Sequence, residues 1–260
     1  AIASGQPATI WEMFPASYQK DIETVIADFA NGMDPEVWNK GLAILGKAHT
    51  LISTKADLLL QSAQGMIPAQ PGMGPEQMKD SLAKAADAVK QLLDSKILEL
   101  ENLKKPDIRK WIQDSGQQAA QDLVQLIKDG KLAQGAEAQE MIDNLNKLNS
   151  VTAKIVNEAD GVATVEVTTG ENVESVEFVK VDDRWIPKDM SEQFPQAIQQ
   201  AKAALATMPQ TMQQAKPQAL MMMGMVEGML DSMNNANSAQ EMQQAVFAVM
   251  GMMGGMAMGG

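Results

Sequence analysis

The sequence predicts an α+β protein that is mostly α: a helical array, one small antiparallel sheet and a methionine-rich helical segment at the C-terminal end. Three observations carry this. Residues Val151 to Pro187 are the only stretch with sustained apolar alternation, the mark of strands whose successive side chains face opposite ways. Before and after that stretch, apolar residues recur at helical spacing instead. Across 260 residues the hydrophobic fraction is 45%, enough for a sizeable core.

Taken in order, residues 1–9 show no apolar period, and Trp11 and Phe14 supply two large anchors before the first periodic segment. From Pro15, the residues Tyr18, Ile22, Val25, Ile26 and Phe29 define one helical face, and Asn31-Gly32 ends it. Asp34-Pro35 then reads as an N-cap followed by proline at the first helical position, where its missing N–H costs nothing. The expected buried stripe of that helix is Trp38, Leu42, Leu45, His49 and Ile52. Gly65 to Pro75 holds three prolines and three glycines in eleven residues and must be a loop. The segment from Met78 to Leu100 predicts the longest helix, ending before Pro106. Short helices through Ile108 to Ile112, Leu123 to Ile127 and Ala138 to Leu148 complete the N-terminal set.

Within the sheet, Ala163, Val165 and Val167, then Val176 and Phe178, then Val179 and Val181, predict three or four strands in a meander that helices cover on one face. Asp160-Gly161 and Asp182-Asp183 occupy the tight turns, with a looser turn over Thr169 to Asn172. Beyond it, Met190 to Ala206 reads as a helix, and Pro209 and Pro217 are expected to divide the remaining helical stretch. Fourteen of the 21 methionines lie beyond residue 200. The division in sequence falls at residue 150: an N-terminal helical subdomain over 1–150, and the meander with methionine-rich helices over 151–260.

Val179, Lys180, Val181, Asp182, Asp183, Arg184, Trp185 and Ile186 resemble the closing hairpin of the nuclear-transport-factor-like and cystatin-like superfamily, many of whose members are small secreted bacterial domains. The resemblance covers about 35 residues and implies a meander packed on helices; it transfers no catalytic residue. The family often has glycine where this chain has Asp183. The segment from Pro15 to Ala30 is similar to the start of the mature region of Gram-negative envelope lipoproteins. The first residue is Ala1, which leaves room for a leader or lipid anchor ahead of it, so the expected location is the periplasm or the periplasmic side of a membrane.

Most common chemistries find no residues here. There is no cysteine, which removes disulfides, thiolate metal sites and cysteine nucleophiles. His49 is the only histidine, so neither a catalytic triad nor a two-histidine metal motif can be assembled. No phosphate-binding loop, dinucleotide fingerprint or nucleophile elbow occurs. Asp182 with Asp183 is a carboxylate pair, but its setting is a solvated turn. A formal charge of -12 argues against nucleic acid as a partner. No cofactor is expected, and the chain reads as a non-enzyme.

The leading expectation is a protein that binds a protein or apolar partner through methionine-bearing helical surface, for which Met221, Met222, Met225, Met229, Met250 and Met253 are the candidates. Glycines at 251, 255 and 259 add a small-residue face suited to self-association through the C-terminal segment. Two alternatives stand beside it. Thioethers select Cu(I), so the same methionines form a candidate copper site. A small-molecule carrier would instead use a pocket between sheet and helices at Val165, Val176, Phe178 and Trp185.

Overall fold

A computed structural model describes residues 6–63, 74–118, 120–121, 151–170 and 172–247. It is mostly helical with one four-stranded antiparallel sheet, as the sequence predicts. The helices are α1 (Pro7–Met13), α2 (Ala16–Gly32), α3 (Pro35–Ala63), α4 (Pro75–Asp94), α5 (Leu100–Leu103), α6 (Ile108–Trp111), α7 (Lys188–Asn235) and α8 (239–247). A π-helical turn over Ile112–Gly116 succeeds α6, and the strands are β1 (Thr152–Ala159), β2 (Val162–Thr169), β3 (Asn172–Val181) and β4 (Arg184–Pro187). Two compact units emerge, each from two stretches of chain: unit 1 is Ala1–Met33 with Ser95–Gln210, and unit 2 is Asp34–Asp94 with Thr211–Gly260. Residue 150, the division drawn from sequence, falls inside the second stretch of unit 1. The expected helices through Leu123 to Ile127 and Ala138 to Leu148 lie outside the described residues.

In unit 1 the sheet is a simple meander in the order β1-β2-β3-β4. Its turn residues have the positive φ that a two-residue hairpin demands: Asp160 at 52° with Gly161 at 76°, and Asp182 at 46° with Asp183 at 62°. Asp182 also acts at a distance. Its Oδ2 accepts a 2.8 Å hydrogen bond from the backbone N–H of Ser17, satisfying one of the orphan donors in the first turn of α2. Hydrogen bonding from the Ser17 side chain, and after it from the Ser17 backbone N–H, holds the Asp182 carboxyl below the usual carboxylate range. The ring of Tyr18 stacks on Phe194 of α7 at 3.8 Å, and Lys202 pairs with Asp21 at 3.0 Å. At the far end of α2, a side chain on Gly32 would meet Met208 and Pro209. Contacts that advance together along both helices mean that α2 and this part of α7 run parallel.

Unit 2 is built on a heptad. Val37, Ile44, Leu51 and Leu58 recur every seven residues on α3, with Gly41, Ala48, Lys55 and Ser62 four residues after each. This is the a/d spacing of a helix-helix seam. Leu51 is buried with Leu230, Met233, Ala236 and Met242, and Ile44, Ala48 and Leu58 pack around them. The bonds from α3 to the later segment are Lys216 to Asp34, Lys40 to Glu227, Lys47 to Asp231, Asn234 to Lys47 and Lys55 to Ala236. Their sequence separations stay between 181 and 187, so α3 and this part of α7 are also parallel. Asp34 caps α3 as expected, its Oδ1 accepting from Glu36 N at 2.9 Å and Val37 N at 3.1 Å. α4 packs on α3, with Lys79 paired to Asp57 at 2.7 Å.

Three expectations need correction. The fully buried residues of α3 are Val37, Leu51 and Ser62, whereas all of the Trp38 series are half-buried, as are Ile44 and Leu58. The Val37 heptad and the Trp38 series are adjacent on the helix, and the position of α7 decides between them. α4 is not the longest helix; it stops at Asp94, before Lys96, whose φ of 57° is left-handed. The longest is α7, which continues for 48 residues through Pro195, Pro209 and Pro217. An interior proline costs about 3 kcal/mol in helix propensity. Packing along α7 offsets that here.

Candidate functional site

The methionines of α7 divide by face within unit 2. On the inner side, Met223 lies against Gly41 of α3, while Leu230 and Met233 enter the core. Gly41 leaves room for the Met223 side chain, and Ala48 packs against the core cluster. The flanks of this seam are charged. Glu227 receives Lys40 at 2.7 Å and Lys47 at 2.9 Å, and Lys47 also reaches Asp231 at 2.7 Å. Hydrogen bonds from the two lysines bring the Glu227 carboxyl down to about 2. Lys47 is raised correspondingly by hydrogen bonding to Asp231 and Glu227. Lys216 bridges Asp34 and Glu36, each at 2.8 Å.

Exposure on α7 changes along its length as well as around it: Met222, Val226, Met229 and Met233 share one helical face by their spacing, yet Met222 and Val226 are exposed, Met229 packs against the core and Met233 is buried. Met221 is 59% exposed, Met222 52% and Val226 40%; Met225 and Met229 are half-buried beside them. Met221, Met222, Met225 and Val226, spaced at one, three and four residues, form a short apolar stripe of about one and a half turns, whereas Met229 packs against the Leu51 core. Scattered exposed apolar residues need no explanation, but a contiguous stripe on a helix marks an interaction surface. Phe247, near the end of α8, is a further exposed apolar side chain at 52%. Of the sequence candidates, Met221, Met222 and Met225 thus lie together, Met229 packs against the core, and Met250 and Met253 lie outside the described residues. Val226 was missed because the expectation attended to methionine alone; its four-residue spacing from Met222 was the available signal.

Val165, Val176, Phe178 and Trp185 also share a face. Val165 pairs with Val176, Ala163 with Phe178, Phe178 with Pro187 and Lys180 with Trp185, which puts the four residues on the same side of the meander. The first three are half-buried; Trp185 is 38% exposed. Along β1, a bulge between Ile155 and Asn157 leaves Ile155 and Val156 well exposed.

The remaining polar candidates have structural roles. His49 Nε2 lies 3.1 Å from Ser53 Oγ, one turn away on α3. Asp183 is paired with Lys180 at 3.1 Å and lies open to solvent. Among the described residues no three His, Cys, Asp or Glu side chains are grouped to hold a metal ion, and no helix is long and apolar enough to cross a membrane. Comparison with protein-family models, with curated proteins and with solved structures finds no match.

Proposed function

We propose that this protein is a non-enzymatic binding module, which docks an amphipathic helix of a partner protein along the Met221–Val226 face of α7. The exposed stripe carries the reading. Methionine suits it because an unbranched, polarisable side chain repacks around varied apolar partners. The net charge of -12 favours a helix whose polar rim is basic and speeds encounter by long-range attraction.

The magnitudes limit the affinity. Full burial of a methionine is worth about 1.5–3 kcal/mol, and Met221 and Met222 each have about half of that left to gain, roughly 1 kcal/mol apiece. With their apolar neighbours this supports association in roughly the micromolar range. The test is fluorescence anisotropy with a labelled synthetic Leu/Lys amphipathic peptide. Met221→Gln with Met222→Gln should weaken binding about thirtyfold; unchanged affinity would refute the docking face. Leucine at both positions separates the rival chemistry. It keeps apolar area and should keep peptide binding, whereas a Cu(I) site would lose its metal. An envelope location is supported by the secreted-domain resemblance of the Val179 to Ile186 hairpin, and fractionation of the native host would test it.

A further inference from the structure

Unit 1 contains a cavity of about 350 Å3 between α2 and the segment from Ser95 to Asp114. Its size falls within the range of about 300–1,000 Å3 typical of small-molecule sites. Ile97, Leu103 and Ile108 give it an apolar wall, and Trp111 lines it as well. The six-membered edge of the Trp111 indole packs against Gly116, where a Cβ would fall 3.1 Å from the ring, so the π-helical turn and its glycine fix the ring's position. π-turns inside helices are frequent at functional sites.

Two features of this wall are left unsatisfied by the protein's own contacts. Trp111 Nε1–H is buried and meets no acceptor. An indole nitrogen donates only, so a partner must bring the acceptor atom. Lys96 and Lys105 also line the cavity and make no ion pair among the described residues. Glu101, which feels Lys105, is hydrogen-bonded to Lys104 at 2.6 Å. The two aspartates on the lining are committed elsewhere: Asp107 accepts from the backbone N–H of Lys110 at 2.8 Å, and Asp114 pairs with the Lys110 ammonium. The lining thus sets Lys96, Lys105 and Lys110 against Asp107 and Asp114, an excess of one positive charge in a chain this acidic. Lys96 is moreover held at left-handed φ, where the other described non-glycine residues are all hairpin aspartates. Its carbonyl is fixed there by Asn102 Nδ2 at 2.8 Å and Glu99 N at 3.0 Å.

An anion is called for by the lysines, an acceptor by the indole, and an apolar body by the wall. We propose that this cavity binds a small amphipathic carboxylate, its oxygen accepting from Trp111 Nε1–H, its charge met by Lys96 and Lys105, and its hydrocarbon laid against Ile97, Leu103 and Ile108. An inorganic phosphate would satisfy the charge and waste the wall. The site is independent of the α7 stripe.

The experiment is a titration of the 15N-labelled full chain with octanoate and, separately, with octan-1-ol, tracking the indole N–H resonances of the four tryptophans. Trp111→Phe assigns the reporter; if that variant does not fold, substituting Trp11, Trp38 and Trp185 in turn assigns it by elimination. Octanoate should shift the Trp111 signal saturably, and octanol should bind at least about tenfold more weakly. Lys96→Gln with Lys105→Gln should remove that preference while leaving octanol binding unchanged. A Trp111 signal that does not move, equal affinity for acid and alcohol, or a double variant that binds octanoate like the parent would each overturn the proposal.

Discussion

Met242 is 0% exposed, whereas Met221 is 59% exposed, and replacing each with alanine should separate core from surface by a wide margin. Met242→Ala deletes Cγ, Sδ and Cε from a site enclosed by Leu51, Leu230, Met233 and Ala236. At about 0.8 kcal/mol per buried group the transfer loss is roughly 2.4 kcal/mol. Incomplete collapse of the cavity adds to it, giving about 3 kcal/mol within the measured range of about 2–5 for such substitutions. Met221→Ala should stay within about 0.5 kcal/mol of the parent. Urea unfolding is the assay: the Met242 variant should lower the midpoint by roughly 1–2 M at unchanged slope, and the Met221 variant should leave it in place. Equal effects, or a loss under about 1 kcal/mol at Met242, would refute the assignment of Met242 on α8 to the core and of Met221 on α7 to the surface. The same packing means that a truncation after Asn237 removes core, so point substitutions are the sound way to probe the stripe.

Other outcomes turn on single residues. Glu227 has its carboxyl lowered from 4.5 to about 2 by Lys40 and Lys47, so its contribution to stability is complete above pH 4.5 and is lost as pH falls from there through about 2. Acid titration monitored by circular dichroism should show that Glu227→Gln flattens this part of the profile; an unaltered profile would discount the lysine pair. Pro217, exposed in the interior of α7, should give up to about 3 kcal/mol of added stability when replaced by alanine, read as a higher Tm. A lower Tm would mean that the proline ring makes contacts that outweigh its helix penalty. Asp183→Gly relieves about 1–2 kcal/mol of left-handed strain against roughly 0.4–1 kcal/mol of added unfolded-chain entropy, a net gain of about 0.5–1 kcal/mol. Denaturant titration checks the sign.

The meander was legible in the sequence because its determinants are local. Asp160-Gly161 and Asp182-Asp183 specify the turns, the turns fix register, and register puts Val165, Val176, Phe178 and Trp185 on one face. The cap at Asp34 was legible for the same reason. The features beyond reach depend on elements distant in sequence. Trp38 and Val37 carry equal local signals, and only α7 selects the Val37 heptad. Pro209 and Pro217 locally forbid the helix that tertiary packing sustains. Composition announced the methionines but not which lie inside, as Met233 does, and which outside, as Met221 does, because that depends on what packs over each part of the helix. The unmet N–H of Trp111 is a property of its surroundings and has no trace in the spacing of residues.

The steady offset of more than 180 residues between α3 and its partner helix has a consequence for how the chain is made. α3 and α4 leave the ribosome with the Leu51 face open, and the residues of the later segment that close it run from Met229 to Val246. At about 5–20 residues per second, that interval lasts roughly ten to thirty seconds. Parallel pairing across such a distance also raises contact order and slows folding after synthesis. The core around Leu51 therefore cannot close until the segment from Met229 to Val246 has been made.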